Sequence, residues 1–176
     1  MPLPIFTIGH STRTIDAFVA LLRAGGVGMV VDIRSVPRSR TNPQFNPGAL
    51  APALAGYQIG HIRIAELGGL RKASASVPFE TNAYWTNRSF HNYADYALTE
   101  DFRRGLGELE ALAEDRSCAI MCAEAVWWRC HRRLVADYLL ASGREVFHLM
   151  GEGRVDPARM TPAAVQAEDG LHYPAT

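Results

Sequence analysis

Cys118-Ala-Ile-Met-Cys122-Ala-Glu-Ala-Val-Trp-Trp-Arg-Cys130-His-Arg-Arg-Leu-Val-Ala-Asp-Tyr-Leu-Leu140 is the stretch whose reading decides the fold. It opens on a short apolar run, Ala119-Ile120-Met121, with no polar alternation. That is the pattern of a strand covered on both faces. It closes on an amphipathic run, Leu134 to Leu140. The loop between them holds two thiols, a carboxylate, an imidazole and several guanidinium groups. A strand that feeds a helix through such a loop is the repeating unit of an α/β protein, whose sites lie at the C-terminal ends of strands.

The same unit recurs outward from there. Ile5 to Ile8 reads as a buried strand ending in Gly9-His10-Ser11-Thr12. Ile15, Phe18, Val19 and Leu22 share one helical face, with Thr14 as N-cap and Gly25-Gly26 as the stop. Val27 to Ile33 is a second strand, ending in Asp32-Ile33-Arg34. Asn46-Pro47 signals a short helix to Ala55. Ile59 to Ile64 is a third strand, leading to Glu66-Leu67-Gly68-Gly69. Residues 71–87 are poor in aliphatics. Helices are expected at Phe90 to Leu98 and from Thr99 to about Glu114, the latter with acids in its first turn. Glu145 to Leu149 supplies a fifth strand. The expectation is a single α/β domain over residues 1–150, with a mostly parallel five-stranded sheet and helices on both faces. An excursion or flap occupies about 70–98. Residues 151–176 read as a C-terminal tail with one short helix started by Thr161-Pro162.

Bulk composition narrows the function classes. Hydrophobic residues make up 48% and charged residues 20%, as in a globular domain. No apolar run approaches the roughly 18 residues of a membrane span, and no basic region followed by an apolar stretch opens the chain. Three cysteines, an odd count, do not suggest a disulfide scaffold, so the expected location is cytoplasmic. Net charge is zero, which argues against a large basic face for duplex nucleic acid. Lys72 is the one lysine among 18 basic residues, the rest being Arg, whose fork suits carboxylates and phosphates.

Strand ends in a parallel sheet share one edge, so His10, Ser11, Asp32, Arg34, Glu66, Cys122 and Glu124 should gather there, with His148 of the fifth strand as a further candidate. His131 falls in register with Leu134, Val135 and Tyr138 and points inward, either as a catalytic imidazole or as a capped structural one. Cys130 sits at a helix N-terminus beside Arg129 and Arg132, which lowers a thiol pKa; it is a candidate nucleophile or simply a well-packed small residue. Cys122 carries the same choice. Glu124 and Asp32 are candidate general acids or bases, or neutralise nearby arginines. Arg34, Arg38 and Arg132 are candidate anion ligands, with Gly68 and Gly69 allowing close backbone approach. Arg133 and Asp137 read as an exposed i, i+4 pair. A nucleophile loop of the phosphatase type needs Cys, five residues, then Arg; here Trp128 stands at that position, and a rhodanese loop fits no better. The Cys-x7-Cys-His spacing matches no common zinc pattern, so no metal is assigned. Tyr84, Trp85, Phe90, Tyr93 and Tyr96 either pin the excursion to the body or stack on a base or sugar.

Taken together, Thr7-Ile8-Gly9-His10-Ser11-Thr12, Val31-Asp32-Ile33-Arg34 with Pro37 and Ser39, Leu67-Gly68-Gly69, Phe90 with Tyr93-Ala94-Asp95-Tyr96, and Met121-Cys122-Ala123-Glu124 with Cys130-His131-Arg132 resemble the domain-of-unknown-function 488 family. The likeness spans about residues 5 to 150. It implies a compact α/β protein of bacterial or archaeal type and brings no reaction, substrate or cofactor. The residues themselves suggest an anion-binding active site at the sheet edge, a hydrolase or transferase acting on a phosphorylated or nucleotide-like small molecule. The alternatives are a ligand-binding or partner-binding module without catalysis and, least favoured by the zero net charge, a nucleic-acid processing factor. No cofactor is named by any motif, and oligomeric state is not encoded legibly.

Overall fold

The computed structural model describes residues 2–176. Its elements run β1 (Ile5–Gly9), α1 (Ile15–Ala24), β2 (Met29–Asp32), α2 (Pro47–Ala55), β3 (Gly60–Arg63), α3 (Arg88–Tyr96), α4 (Glu100–Asp115), β4 (Cys118–Cys122), α5 (Arg132–Ala141) and β5 (Val146–Leu149). Three short strands follow: β6 (Val155–Pro157), β7 (Val165–Ala167) and β8 (Gly170–His172). The main sheet has the order β3-β2-β4-β1-β5-β6. Its first five members are parallel; β6 is antiparallel to β5 at the edge. The sheet therefore has six strands, not five. The sixth lies in the tail, where Val155-Asp156-Pro157 is too short for alternation to betray it.

Strand parity divides the core. Cys118 and Ile120 of β4 face one layer, with Val31, Phe102, Leu134 and Leu139. Ala119 and Met121 face the other, with Phe18, Leu22, Leu50 and Leu54. Thus α1 and α2 cover one side and α3 to α5 the other. The chain leaves β1 and β2 toward the α1–α2 side and leaves β4 toward the α3–α5 side. A crevice is forced open at the C-terminal ends of these neighbours, because their connections diverge.

The tail departs from its expected form. Thr161-Pro162 starts a turn, not a helix, and β7 and β8 form an antiparallel hairpin. Leu171 and Tyr173 are buried in the main core, so the tail is a working part of it. Asp137 is its anchor. The carboxylate accepts from Thr161 N at 2.9 Å and from the Tyr173 hydroxyl at 2.9 Å. The expected exposed Arg133–Asp137 pair is thereby replaced. Asp137 is buried, while Arg133 donates to Thr161 Oγ1 and lies over the Trp85 ring. The excursion is pinned by the same aromatics: Trp85 packs edge-on against Phe90 and Tyr173, and Tyr93 is fully buried. Among the described residues no helix is long and apolar enough to cross a membrane.

Candidate active site at the sheet edge

Three strand ends build the site. Gly9 of β1 lies opposite Cys122 of β4, and the ladder continues past both strands, with His10 N donating to Cys122 O and Ser11 N to Ala123 O. A Cβ on Gly9 would fall 1.8 Å from the Glu124 carbonyl oxygen, so only glycine lets the two loops close on each other. Ser11 turns the chain away with a φ of 49°.

The loop after β2 is held by its own ion pair. Asp32, fully buried, accepts from Arg34 N at 3.0 Å, from Nε at 2.9 Å and from Nη2 at 2.7 Å. Nη2 also donates to Phe45 O, and Nη1 donates to His10 Nε2 at 3.2 Å. His10 Nδ1 donates to Ser11 O at 2.8 Å and its ring stacks on Phe45. Burial lowers the His10 pKa, and the neighbouring Arg34 adds to that against the opposing Ser11 carbonyl. The imidazole is a neutral brace. Asp32 sits beneath the Arg34 guanidinium and lines neither cleft described below.

Arg132 carries a charge into the interior. It is completely buried at the start of α5. Nε donates to Thr7 Oγ1, Nη1 to Cys122 Sγ at 2.7 Å and to Glu124 O at 2.6 Å, and Nη2 to Ala125 O at 3.2 Å. No carboxylate among the described residues forms an ion pair with it. Burial pushes its pKa down to about 9, with the Glu124 charge pulling the other way. Thr7, having accepted from Arg132, donates to His148 Nδ1 at 2.6 Å. Trp127 stacks on the His148 ring at 4.6 Å, and burial followed by the Arg132 charge pushes that histidine down to about 3.

Cys122 and Cys130 meet across this loop, their sulfurs in contact and their Cα atoms 7.2 Å apart. Cys130 Sγ accepts from Arg132 N at 3.4 Å, the first free amide of α5. His131 Nδ1 lies 3.5 Å from the same sulfur. The other ring nitrogen, Nε2, donates to Ile33 O at 2.8 Å. Burial pushes His131 down to about 4, outweighing its backbone partners. The ring is thus neutral near pH 7, with the Nδ1 lone pair turned to Cys130. Gly69 makes room for it: a Cβ there would lie 2.5 Å from Nδ1. Gly68 is similarly tight against Ser35, whose Oγ accepts from Leu70 N.

Two adjoining clefts open over this floor. The first, about 340 Å³, is walled by Ser35, Gly69, Phe90, Cys122, Arg129 and His131 among others. The second, about 520 Å³, runs past His10, Ser11, Arg38 and Asn42. Arg34, Val36, Ala123 and Glu124 border both. The edge therefore assembles His10, Ser11, Arg34, Arg38, Gly69, Cys122, Glu124, Cys130 and His131 around one groove. It places Asp32, Gly68 and Arg132 behind the wall and leaves Glu66 outside both clefts, its carbonyl accepting from the Tyr96 hydroxyl. Arg38 and Arg129 are exposed at the rim beside the exposed Glu124. Among the described residues no cluster of three or more His, Cys, Asp or Glu is placed to hold a metal ion. Thr7, Ser35, the Ile33 carbonyl and the sulfur pairing were not singled out from the sequence. Strand parity is the signal that finds Thr7, since it shares a face with Cys122 across adjacent strands.

A family model described as a domain of unknown function, DUF488, matches residues 14–139. No curated protein and no solved structure matches the chain.

Proposed function

The chain belongs to the DUF488 family, whose description assigns no reaction, and on the geometry of the groove we propose that it is a thiol-dependent transferase or hydrolase acting on a small, anionic electrophile. Cys122 is the nucleophile. The observation that carries this reading is the Arg132 guanidinium, wholly buried, without a carboxylate, and 2.7 Å from Cys122 Sγ. A buried cation needs an anion, or it loses several kcal/mol of solvation uncompensated. A Cys122 thiolate is the one candidate anion in direct contact, and the pairing lowers the thiol pKa for the same reason it holds the arginine charged. The groove above supplies Arg38 and Arg129 for an anionic substituent, while Arg34 is already neutralised by Asp32. Glu124, at the junction of the clefts, is positioned to exchange protons with a bound molecule and water.

The test is pH-dependent alkylation of the fully reduced protein with iodoacetamide, read by peptide mapping. Cys122 is expected to react with a midpoint at least one unit below the roughly 8.5 of a free thiol. If Cys122 gains reactivity only above that value, in step with Cys118, the thiolate reading falls. A stacking surface for single-stranded nucleic acid is a weaker reading, since Trp85 and Tyr93 are spent on packing.

A further inference from the structure

The Cys122 thiolate accounts for Arg132 but leaves Cys130 and His131 without a task. Cys130 lines the same cleft as Cys122, and the two sulfurs touch. The surroundings of the two sulfurs differ in kind. Cys122 faces a guanidinium. Cys130 faces a backbone amide at a helix start and a neutral imidazole nitrogen. A full cation favours the thiolate strongly, whereas an amide and an imidazole acceptor hold a thiol ready and aim it. The Ile33 carbonyl fixes the tautomer that makes this aim possible, because it occupies the Nε2 proton. Two thiols of unequal readiness, in contact, beside one small cleft, form an attacking and resolving pair.

We propose that the substrate class of this site is a low-molecular-weight disulfide, and that Cys122 and Cys130 carry out thiol–disulfide exchange with it. The inference rests on the thiolate reading above. Cys122 S⁻ attacks one sulfur of R–S–S–R; the Cys122–S–S–R bond forms, the R–S–S–R bond breaks, and R–S⁻ leaves. The Cys130 sulfur then attacks the Cys122 sulfur. The Cys122–Cys130 bond forms, the second R–S⁻ departs, and it takes up the proton that Cys130 gives up. The substrate is reduced by two electrons and the protein's two thiols are oxidised by two. A dithiol reductant reverses the change. The Cα separation of 7.2 Å lies slightly beyond the usual span of a disulfide, so closure draws the 123–131 segment inward. His131 is a positioning residue: it acts through Cys130, whose sulfur it orients.

The experiment treats the reduced, full-length protein with bis(2-hydroxyethyl) disulfide and follows it by intact mass and peptide mapping. The wild type is expected to lose two hydrogens, release two equivalents of mercaptoethanol and yield a linked Cys122–Cys130 peptide. Cys130→Ser is expected to stop at a single hydroxyethylthio adduct on Cys122. His131→Gln is expected to accumulate that adduct transiently, with resolution recovering as pH rises; an unchanged pH profile removes His131 from the scheme. If wild-type Cys122 keeps its adduct while Cys130 remains open to alkylation, the exchange pair is overturned and the thiolate reading stands. If Cys122 fails both here and in the iodoacetamide titration, both fall together.

Discussion

The two ends of β4 carry the same residue in opposite circumstances. Cys118 opens the strand and Cys122 closes it, and both point to the α3–α5 side by parity. Cys118 is buried, its thiol donating weakly to Arg116 O at 3.5 Å, and burial pushes its pKa up despite two arginines nearby. Cys122, equally buried, is met by the Arg132 guanidinium and by a second sulfur. Burial alone raises a thiol's pKa; an unpaired cation beside a buried thiol works in the opposite direction. The difference lies in the topology. The C-terminal end lies where the connections of neighbouring strands diverge, and only there do Arg132 and Cys130 reach the strand.

The comparison breaks most violently at Arg132. Arg132→Met keeps the volume and removes every donor, leaving the Glu124 and Ala125 carbonyls without their partner. A loss of about 3–5 kcal/mol in urea unfolding is expected. In the surviving folded protein, Cys122 should titrate like Cys118, and its alkylation at neutral pH should slow by about tenfold or more. A low Cys122 midpoint that survives the substitution would show that the guanidinium is not the cause.

Acid attacks the same end of the strand. His131 and His148 are held near 4 and 3 by burial, against about 6.5 in the unfolded chain. The unfolded state takes up these protons first. Stability is therefore whole above about pH 6.5 and is lost as pH falls toward the folded values, on the order of 3 kcal/mol for each histidine. Urea midpoints between pH 7 and 4.5 should drop steeply, and His131→Gln should flatten the drop. At the other end, Cys118→Ala should cost about 1 kcal/mol through lost packing and leave Cys122 alkylation unchanged.

Much of this was readable in the chain. The β4–α5 junction announced the α/β unit, the strand-end rule gathered His10, Arg34, Glu124 and Cys122, and helical register turned His131 inward, before any coordinates. The rule could not say which side of the wall each group takes. In sequence Asp32 reads as a general acid or base and Arg132 as an anion ligand, because spacing places both at the edge without showing what pairs with them. They are buried because their partners, Arg34 in one case and a sulfur with two carbonyls in the other, come from backbone geometry that composition does not record. Asp137 misled for the same reason: helical spacing paired it with Arg133, while its real partners, Thr161 and Tyr173, lie 24 and 36 residues away. The tail hairpin was missed because three-residue strands carry no periodicity to read.

Glu124→Gln is the finest probe of the contrast. The side chain is exposed, and the bonds that Glu124 makes to Arg132 come from its carbonyl, which the substitution preserves. Stability should move by no more than about 0.5 kcal/mol. Removing the carboxylate takes a negative charge away from the Cys122 thiolate and also withdraws the charge that helps keep Arg132 protonated. The first effect lowers the Cys122 midpoint directly. The second works the other way, since a less firmly protonated Arg132 supports the thiolate less, and it offsets part of the first. A fall of a few tenths of a pH unit is expected, larger at low salt because the carboxylate lies in solvent. Cys118, at the far end of a strand that spans about 17 Å at most, should not respond. The charge change should also speed exchange with oxidised glutathione, an anion, more than with neutral bis(2-hydroxyethyl) disulfide. Equal acceleration for both would place the Glu124 effect on the thiolate alone and remove the carboxylate from substrate selection.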